Sequence, residues 1–186
     1  MRMRSASAKN FMFAIALIVA LFLPSMLTAC NSSNLEKIVS LVDNIEGYHD
    51  IALTDSQKNI NSNCTIVSLF ANDSRRVFYS VAKNGYKGSL GIAVLLEYNK
   101  IKKIAPVDMN ENGNYGARCF SDSYLNNFVG IDVTEKVELV GGFELSAGVD
   151  VAYLSGATST SNALISAVNA VIAFANLHQD ISVTFG

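Results

Sequence analysis

Hydroxyl-bearing residues are crowded between residues 155 and 162, where the chain reads SGATSTSN, and an apolar run follows at once. If a helix begins here, its first backbone N–H groups are unpaired and carry the positive end of the helix dipole. Gly156 and Ala157 leave that backbone open to close approach. A phosphate could then be held by the N–H donors, the dipole and the hydroxyls of Ser159, Thr160 and Ser161. The same residue types are favoured helix caps, so the pattern alone leaves phosphate binding and capping both open.

Two familiar catalytic motifs are missing from this segment. A P-loop needs Gly-Lys-Ser/Thr, but no charged residue occurs between Val151 and His178, so nucleotide hydrolysis is not favoured. The Gly-x-Ser-x-Gly sequence of a nucleophile elbow is also missing. The segment therefore predicts a binding site or a structural cap rather than a hydrolytic active site.

Positioning this segment requires a helix behind it and a sheet against which that helix packs. Apolar residues at helical spacing predict the helix: Ala163, Leu164, Ala167, Val168, Val171, Ile172 and Ala175. A second helix is predicted from Asn34 to Ile45, closed by Gly47. Strands are predicted from Cys64 to Phe70 and from Arg75 to Ala82, which are rich in β-branched and aromatic residues.

The middle of the chain has the pattern of a β-hairpin. Leu90 to Tyr98 and Ile101 to Val107 are its predicted strands, and Asn99-Lys100 is the predicted turn. An earlier turn is predicted at Asn84-Gly85. The hairpin therefore adds two strands to those predicted before it.

A Gly-rich loop covers residues 110–116 and leads into a short helix, which Ser121 is predicted to cap and Gly130 to end. Lys136 to Val140 is predicted as a further strand. Strands grouped together with helices at the ends predict an α+β fold, a single domain with an antiparallel sheet flanked by helices.

The first 29 residues have the pattern of a secretory signal. Arg2, Arg4 and Lys9 precede an apolar run from Phe11 to Leu23, and a small-residue stretch follows. Leu27-Thr28-Ala29-Cys30 resembles the bacterial lipobox, in which the signal is cut before a cysteine that becomes lipid-modified.

The lipobox divides the chain into three parts. Residues 1–29 are then a lipoprotein signal peptide, residues 30–34 a tether anchored to the membrane through acylated Cys30, and residues 35–186 the folded domain on the extracytoplasmic side. The alternative is an uncleaved membrane helix, since the apolar stretch is nearly long enough to span a bilayer. Both interpretations place the domain outside the cytoplasm.

Charge and cysteine content exclude some functions. The signal holds three of the 14 basic residues and none of the 16 acidic ones, so the remaining chain is acidic and a nucleic-acid partner is not favoured. Only two histidines occur, His49 and His178, and neither has a ligand-like spacing with a cysteine, so no metal site is predicted. Cys64 and Cys119 could be paired or free, and their spacing does not decide.

SGATSTS followed by an alanine-rich helix resembles the attachment motif of the FMN-binding domain family. That family includes the covalent-FMN subunits of the Rnf complex and of sodium-pumping NADH:quinone reductase, and flavinylated electron-transfer lipoproteins. In its Ser/Thr-Gly-Ala-Thr motif, a flavin transferase joins FMN through its phosphate to the final threonine. The resemblance places that threonine at Thr158, with Ser155, Gly156 and Ala157 completing the motif.

A second stretch carries the resemblance independently. Gly85-Tyr86-Lys87-Gly88, the two hairpin strands and the loop through Glu111, Gly113, Tyr115 and Gly116 occur in the family's order. Phe128-Val129-Gly130 falls where the family has Phe-x-Gly, so the resemblance spans roughly residues 77–175. It implies that the loop residues contribute to cofactor binding, alongside the hydroxyls of the helix start.

The chain departs from the family at two points. The acidic residue before the motif is Asp150, two residues further upstream than the common spacing, and Asn112-Gly113 replaces the usual Thr-Pro of the loop. The resemblance nevertheless implies a membrane-anchored flavoprotein for electron transfer, with FMN bound covalently to Thr158. It also implies a flavin transferase as maturation partner and a membrane redox partner. Such a protein is an electron carrier or oxidoreductase subunit rather than a stand-alone enzyme, and has no catalytic side chain of its own.

Three alternatives remain open. One is a Rnf-like or quinone-reductase-like subunit held by an uncleaved membrane anchor. Another is a surface lipoprotein that uses an FMN-binding-like fold for ligand or partner binding without covalent flavin, which the displaced Asp150 favours. A third is a reductase with its own substrate site.

Overall fold

The fold is built on a five-stranded antiparallel sheet with helices on both faces. The computed structural model describes residues 34–108, 110, 115–140 and 149–178. The strands follow one another in the sheet in chain order. They are β1 (His49–Ile51), β2 (Cys64–Asn72), β3 (Arg75–Gly85), β4 (Gly88–Glu97) and β5 (Lys100–Asp108).

The predicted hairpin is confirmed as β4 and β5, which pair antiparallel from Glu97↔Lys100 to Gly91↔Asp108. The turn consists of Tyr98 and Asn99, one residue earlier than predicted. Both have positive φ, 49° and 63°, as a two-residue hairpin loop that matches the twist of its strands requires. Asparagine tolerates this conformation better than most residues, which explains its place in the turn.

Helix α4 (Thr158–Leu177) packs on the sheet and forms the main core. All members of the predicted apolar stripe are buried. Phe174 of α4 and Phe78 of β3 are buried as well, and their rings pack edge-to-face. Ser80 of β3 is fully buried and donates a 2.9 Å hydrogen bond from Oγ to the carbonyl of Ala167. This bond fixes the position of α4 along the sheet. Within the described residues, α4 alone is long and apolar enough to cross a membrane, but 67% of its apolar window is buried inside the domain.

Helix α1 comprises residues 34–42 and covers the opposite face of the sheet. Ile38, Val39 and Val42 form a second buried cluster with residues of β2, β3 and β4. β4 is therefore buried on both faces, and the domain has three layers. Residues 48–63, which have no clear periodicity, contribute β1 and the short helix α2 (Asp55–Lys58), which begins with a capping box from Thr54.

The predicted end of α1 is wrong: the helix stops at residue 42 rather than at Ile45. Asp43 breaks it because its carboxylate accepts hydrogen bonds from the N–H groups of Asn44 and Ile45. The same carboxylate accepts from Tyr48 Oη at 2.6 Å and pairs with Arg75 at 2.8 Å, and Arg75 also contacts Glu97. These contacts join the end of α1 to the sheet.

A second, two-stranded sheet supports the other side of α4. β6 (Val137–Val140) pairs in parallel with β7 (Val149–Ala152), and Asn169 of α4 bonds both the N–H and the carbonyl of Val137. The predicted strand at Lys136 to Val140 is confirmed to within one residue, whereas β7 was not predicted. β7 leads directly into the Ser155–Asn162 segment.

Short helices connect β5 to β6. Residues Gly116–Phe120 form a 3₁₀ turn, α3 is Asp122–Leu125, and a second 3₁₀ turn covers Asn126–Phe128. Ser121 is the N-cap residue, as predicted, but its side chain does not cap the helix; its hydroxyl donates to the carbonyl of Arg118 instead. Gly130 ends the segment with φ of +90°. The single α+β domain with an antiparallel sheet flanked by helices is confirmed.

Candidate cofactor site at the start of the last helix

Thr158 is the first residue of α4, and no described side chain closes the start of this helix. Ala157 is the N-cap residue, its side chain cannot accept a hydrogen bond, and the first helical bond runs from Ser161 N–H to the Ala157 carbonyl at 2.9 Å. The N–H groups of the first turn lie ahead of that bond and have no acceptor within the helix. The capping interpretation of the hydroxyl cluster is therefore not what the geometry shows.

A cavity of about 290 Å³ opens at this helix start. Its lining consists of Tyr86, Tyr115, Gly116, Gly156, Ala157, Thr158, Ser159 and Thr160. The side chains of Thr158 and Ser159 are exposed, whereas Thr160 is buried. The structure thus brings together, around one opening, most of the motif with two residues from the end of the Gly-rich loop.

Gly156 is required at its position for two physical reasons. Its φ of +80° is strained for residues with a side chain, and an added Cβ would lie 2.9 Å from Cδ1 of Tyr115. The Tyr115 ring is therefore in direct contact with the backbone of the motif. This contact joins the Gly-rich loop to the turn that precedes α4.

Ser161 supports the segment from inside. It is fully buried and does not line the cavity; its Oγ accepts a 3.3 Å hydrogen bond from Leu154 N–H and lies 3.3 Å from Cys119 Sγ. Because Leu154 immediately precedes the turn, this hydroxyl holds the chain on entry to α4. The structure gives this hydroxyl contacts with the protein itself, and its contact with a ligand stays a prediction.

The other residues singled out from the sequence lie in different places. Ser155 is exposed in the turn, and Asp150 is exposed in β7. Tyr153 and Leu154, which are not among those residues but lie between β7 and the motif, line a separate cavity of about 420 Å³ together with Arg118 and residues of α3. Glu111 and Gly113 lie outside the described residues.

Tyr86 belongs to the site but was not among the residues predicted for it. It lies in the turn between β3 and β4, it is 67% exposed, and it lines the cavity that contains Thr158. The sequence carried a signal, since Tyr86 lies within Gly85-Tyr86-Lys87-Gly88. The position of that turn over the start of α4 depends on tertiary packing and could not be derived from local pattern.

Cys64 and Cys119 are both buried and are not joined by a disulfide bond. Burial raises the pKa of the Cys64 thiol above its ordinary value, which favours the protonated form. Both cysteines belong to the main core, so their packing as small apolar groups accounts for their positions.

This fold and site are those of a domain suited to hold a phosphate-bearing ligand at a helix start. Residues 85–173 match the model of the FMN-binding domain family. The resemblance to that family is thus confirmed over this range, which includes the Gly-Tyr-Lys-Gly turn, the hairpin and the Ser-Gly-Ala-Thr motif.

Among solved structures, the chain is similar to one component of the Na⁺-translocating NADH-quinone reductase from Parabacteroides distasonis. The two are 18% identical, and the TM-score is 0.44. The similarity covers 57% of this chain and 60% of that one. None of the curated proteins compared with the chain matches it significantly.

Proposed function

We propose that this protein is an electron-transfer flavoprotein in which FMN is bound covalently, through its phosphate, to Oγ of Thr158. The observation that carries the proposal is the position of Thr158. It is the exposed first residue of α4, it lines a cavity, and no described side chain competes for the helix start as a cap. The family match over residues 85–173 supports FMN as the ligand.

The attachment needs a flavin transferase and FAD as the co-substrate. Thr158 Oγ forms a bond to the phosphorus on the flavin side of FAD. The bond between that phosphorus and the bridging oxygen of the pyrophosphate breaks. AMP leaves with the bridging oxygen, and the hydroxyl proton passes to solvent. The domain would need only to present the hydroxyl, since the transferase supplies the catalytic groups.

The residues around Thr158 fit a phosphodiester that retains one negative charge. The N–H groups of the first turn and the positive end of the α4 dipole favour that charge. Ser159 and Thr160 add hydroxyls to that turn, and Ser155 adds one in the turn before it. Gly156 and Ala157 keep side-chain bulk away from the phosphate. Among the described residues, no lysine or arginine lines the cavity, so the helix start itself has to balance the charge.

Bound FMN would supply the redox chemistry, because the isoalloxazine ring accepts and donates electrons without help from a protein acid or base. The chain's own residues retain and orient the group. We expect Tyr115 and Gly116 to form one wall of the site, and the proposal also assigns Glu111 and Gly113 to FMN binding. Covalent retention suits a protein outside the cell, where an exchanging cofactor would be lost by diffusion.

The N-terminal sequence supports a lipoprotein. We propose that residues 1–29 are removed as a signal peptide, that Cys30 is acylated, and that residues 30–34 tether the FMN-binding domain of residues 35–186 to the extracytoplasmic face of the membrane. The electron partner would then be a membrane redox protein or a diffusible acceptor.

Covalent attachment is tested by co-expressing the full chain with a flavin transferase and separating it on a denaturing gel. The wild-type band should fluoresce as flavin after denaturation, and Thr158→Val should abolish the signal. Thr134→Val is the matched control, because it makes the same change at an exposed threonine that does not line the cavity, and it should leave the signal intact. A fluorescent Thr158→Val band would contradict attachment at this residue. A dark wild-type band beside a labelled member of the family would favour a ligand-binding lipoprotein without covalent flavin.

A further inference from the structure

The turn between β3 and β4 places an exposed aromatic side chain at the site. Tyr86 is 67% exposed and belongs to neither hydrophobic cluster, yet it lines the cavity of Thr158. An exposed tyrosine on a turn contributes little to folding, because most of its ring is not removed from water there. Its ring instead adds an aromatic surface to the opening of this cavity.

The turn that carries Tyr86 follows an irregular stretch of the β3–β4 pairing. The pairing of β3 with β4 shifts register between Ala82 and Gly85, and Gly88 has a φ of +125° with no described atom within 4 Å of a Cβ placed there. The register shift interrupts the regular pairing next to the turn, and the last pair is Gly85↔Gly88. Gly85 and Gly88 therefore flank Tyr86 with backbone that carries no side-chain bulk.

Tyr115 plays a different part in the same cavity. Its ring contacts the backbone of Gly156, so it forms a wall of the cavity beside the turn before α4. Tyr86 is more exposed than Tyr115, at 67% against 53%, and comes from a separate element. The cavity thus has one aromatic side chain in contact with the motif and a second, more exposed one from a separate turn.

We propose that Tyr86 packs against the isoalloxazine ring of the flavin attached to Thr158 and shields it from solvent. This inference rests on the proposed function, because it assumes the flavin on Thr158. A flat, electron-poor ring system and a phenol ring stack favourably, and removal of the facing surfaces from water adds to the contact. Tyr86 is a positioning residue: it sets the exposure of the ring, not the attachment.

The experiment compares Tyr86→Ala with wild type, using the full chain flavinylated by co-expression. A tyrosine in contact quenches flavin fluorescence by donating an electron to the excited ring, and this quenching falls steeply with distance. We expect native fluorescence per flavin to rise several-fold in Tyr86→Ala, and Tyr86→Trp to remain quenched. Iodide added to solution should quench the Ala variant more strongly than wild type, since the ring is less covered.

Tyr98→Ala is the matched control, because Tyr98 is a similarly exposed hairpin tyrosine, 75% exposed, in the β4–β5 turn at the far end of β4. It should leave native fluorescence unchanged. After denaturation, all variants should give the same fluorescence per flavin. If native Tyr86→Ala fluoresces no more than wild type and still carries its flavin after denaturation, the stacking role is wrong. The proposal of a covalent flavin carrier would not be affected. Absence of bound flavin from the wild-type chain would overturn both.

Discussion

The ring of Tyr115 lies against the backbone of Gly156, and a Cβ added to that glycine would come within 2.9 Å of Cδ1. The contact joins the loop before the first 3₁₀ turn to the motif that presents Thr158. The shape of the cavity therefore depends on a residue without a side chain at position 156. The glycine of the motif is required by geometry, in addition to any requirement of the transferase.

We predict that Gly156→Ala lowers both stability and flavin attachment. The strained backbone costs about 1–2 kcal/mol, and displacement of Tyr115 adds to that cost. Gly130→Ala is the matched control, since Gly130 has a similar φ of +90° with no described atom within 4 Å of a Cβ. Urea unfolding should show a larger loss for Gly156→Ala than for Gly130→Ala. Equal losses would show that the Tyr115 contact is unimportant.

The buried hydroxyl of Ser161 should matter for stability and not for the flavin bond. Ser161→Ala leaves Leu154 N–H without its acceptor, so we expect a loss of about 1–2 kcal/mol in unfolding free energy. Covalent flavin should remain at the wild-type level under full co-expression. Ser159→Ala, which changes an exposed hydroxyl, should be close to neutral in urea unfolding. A stable Ser161→Ala protein that cannot be flavinylated would instead assign this hydroxyl to the ligand.

The ion pair at the end of α1 predicts a loss of stability in acid. Burial opposes ionisation of Asp43, but hydrogen bonds from Tyr48 and Arg75 outweigh it and hold the pKa of Asp43 below its ordinary value of 3.8. A lowered folded-state pKa contributes stability above pH 3.8, and that contribution is lost as pH falls through the folded value.

Asp43→Asn should therefore be less stable than wild type at neutral pH, by about 1–2 kcal/mol, and the difference should shrink below pH 3.8. Unfolding curves recorded from neutral pH downward measure this. Asp73→Asn, in the exposed turn between β2 and β3, is the control. Its difference in unfolding free energy from wild type should stay the same at every pH. A constant gap between Asp43→Asn and wild type at every pH would contradict the assignment.

The anchor is tested by Cys30→Ser in cells that process lipoproteins. Removing the thiol that would be acylated should eliminate lipid-modified protein from the membrane fraction. Ser32→Ala, in the tether, should leave lipid-modified protein there. Mass spectrometry of the N-terminal peptide identifies the acyl groups. If unmodified, full-length protein remains in the membrane with either substitution, the uncleaved-helix alternative is correct.

Elements with strong local periodicity were predictable from the sequence. The buried stripe of α4 and the β4–β5 hairpin were both found, because each has a regular apolar pattern and the hairpin also has a turn signal between its strands. The Ser-Gly-Ala-Thr motif was recognised through family resemblance, since its residue types fit a helix cap equally well. The position of Ala157 at the N-cap disfavours the capping interpretation.

What escaped prediction depends on contacts distant in sequence. β7 is four residues long and gains its partner β6 only through tertiary packing, so its sequence carried too little pattern. The carboxylate of Asp43 ends α1 through bonds from its own neighbours, but it is also held by Arg75, 32 residues away, and that contact could not be read locally. Tyr86 joins the site only because the β3–β4 turn folds over the start of α4. Local propensity contains none of these relationships.

The most direct test of the account is fragmentation mass spectrometry of the peptide that contains residues 137–186, taken from full chain co-expressed with a flavin transferase. The account predicts an added mass of one FMN less one water, located on Thr158, and its absence from Thr158→Val. The same mass on Ser159 or Thr160, or an unmodified peptide beside a labelled family member from the same cells, would contradict it.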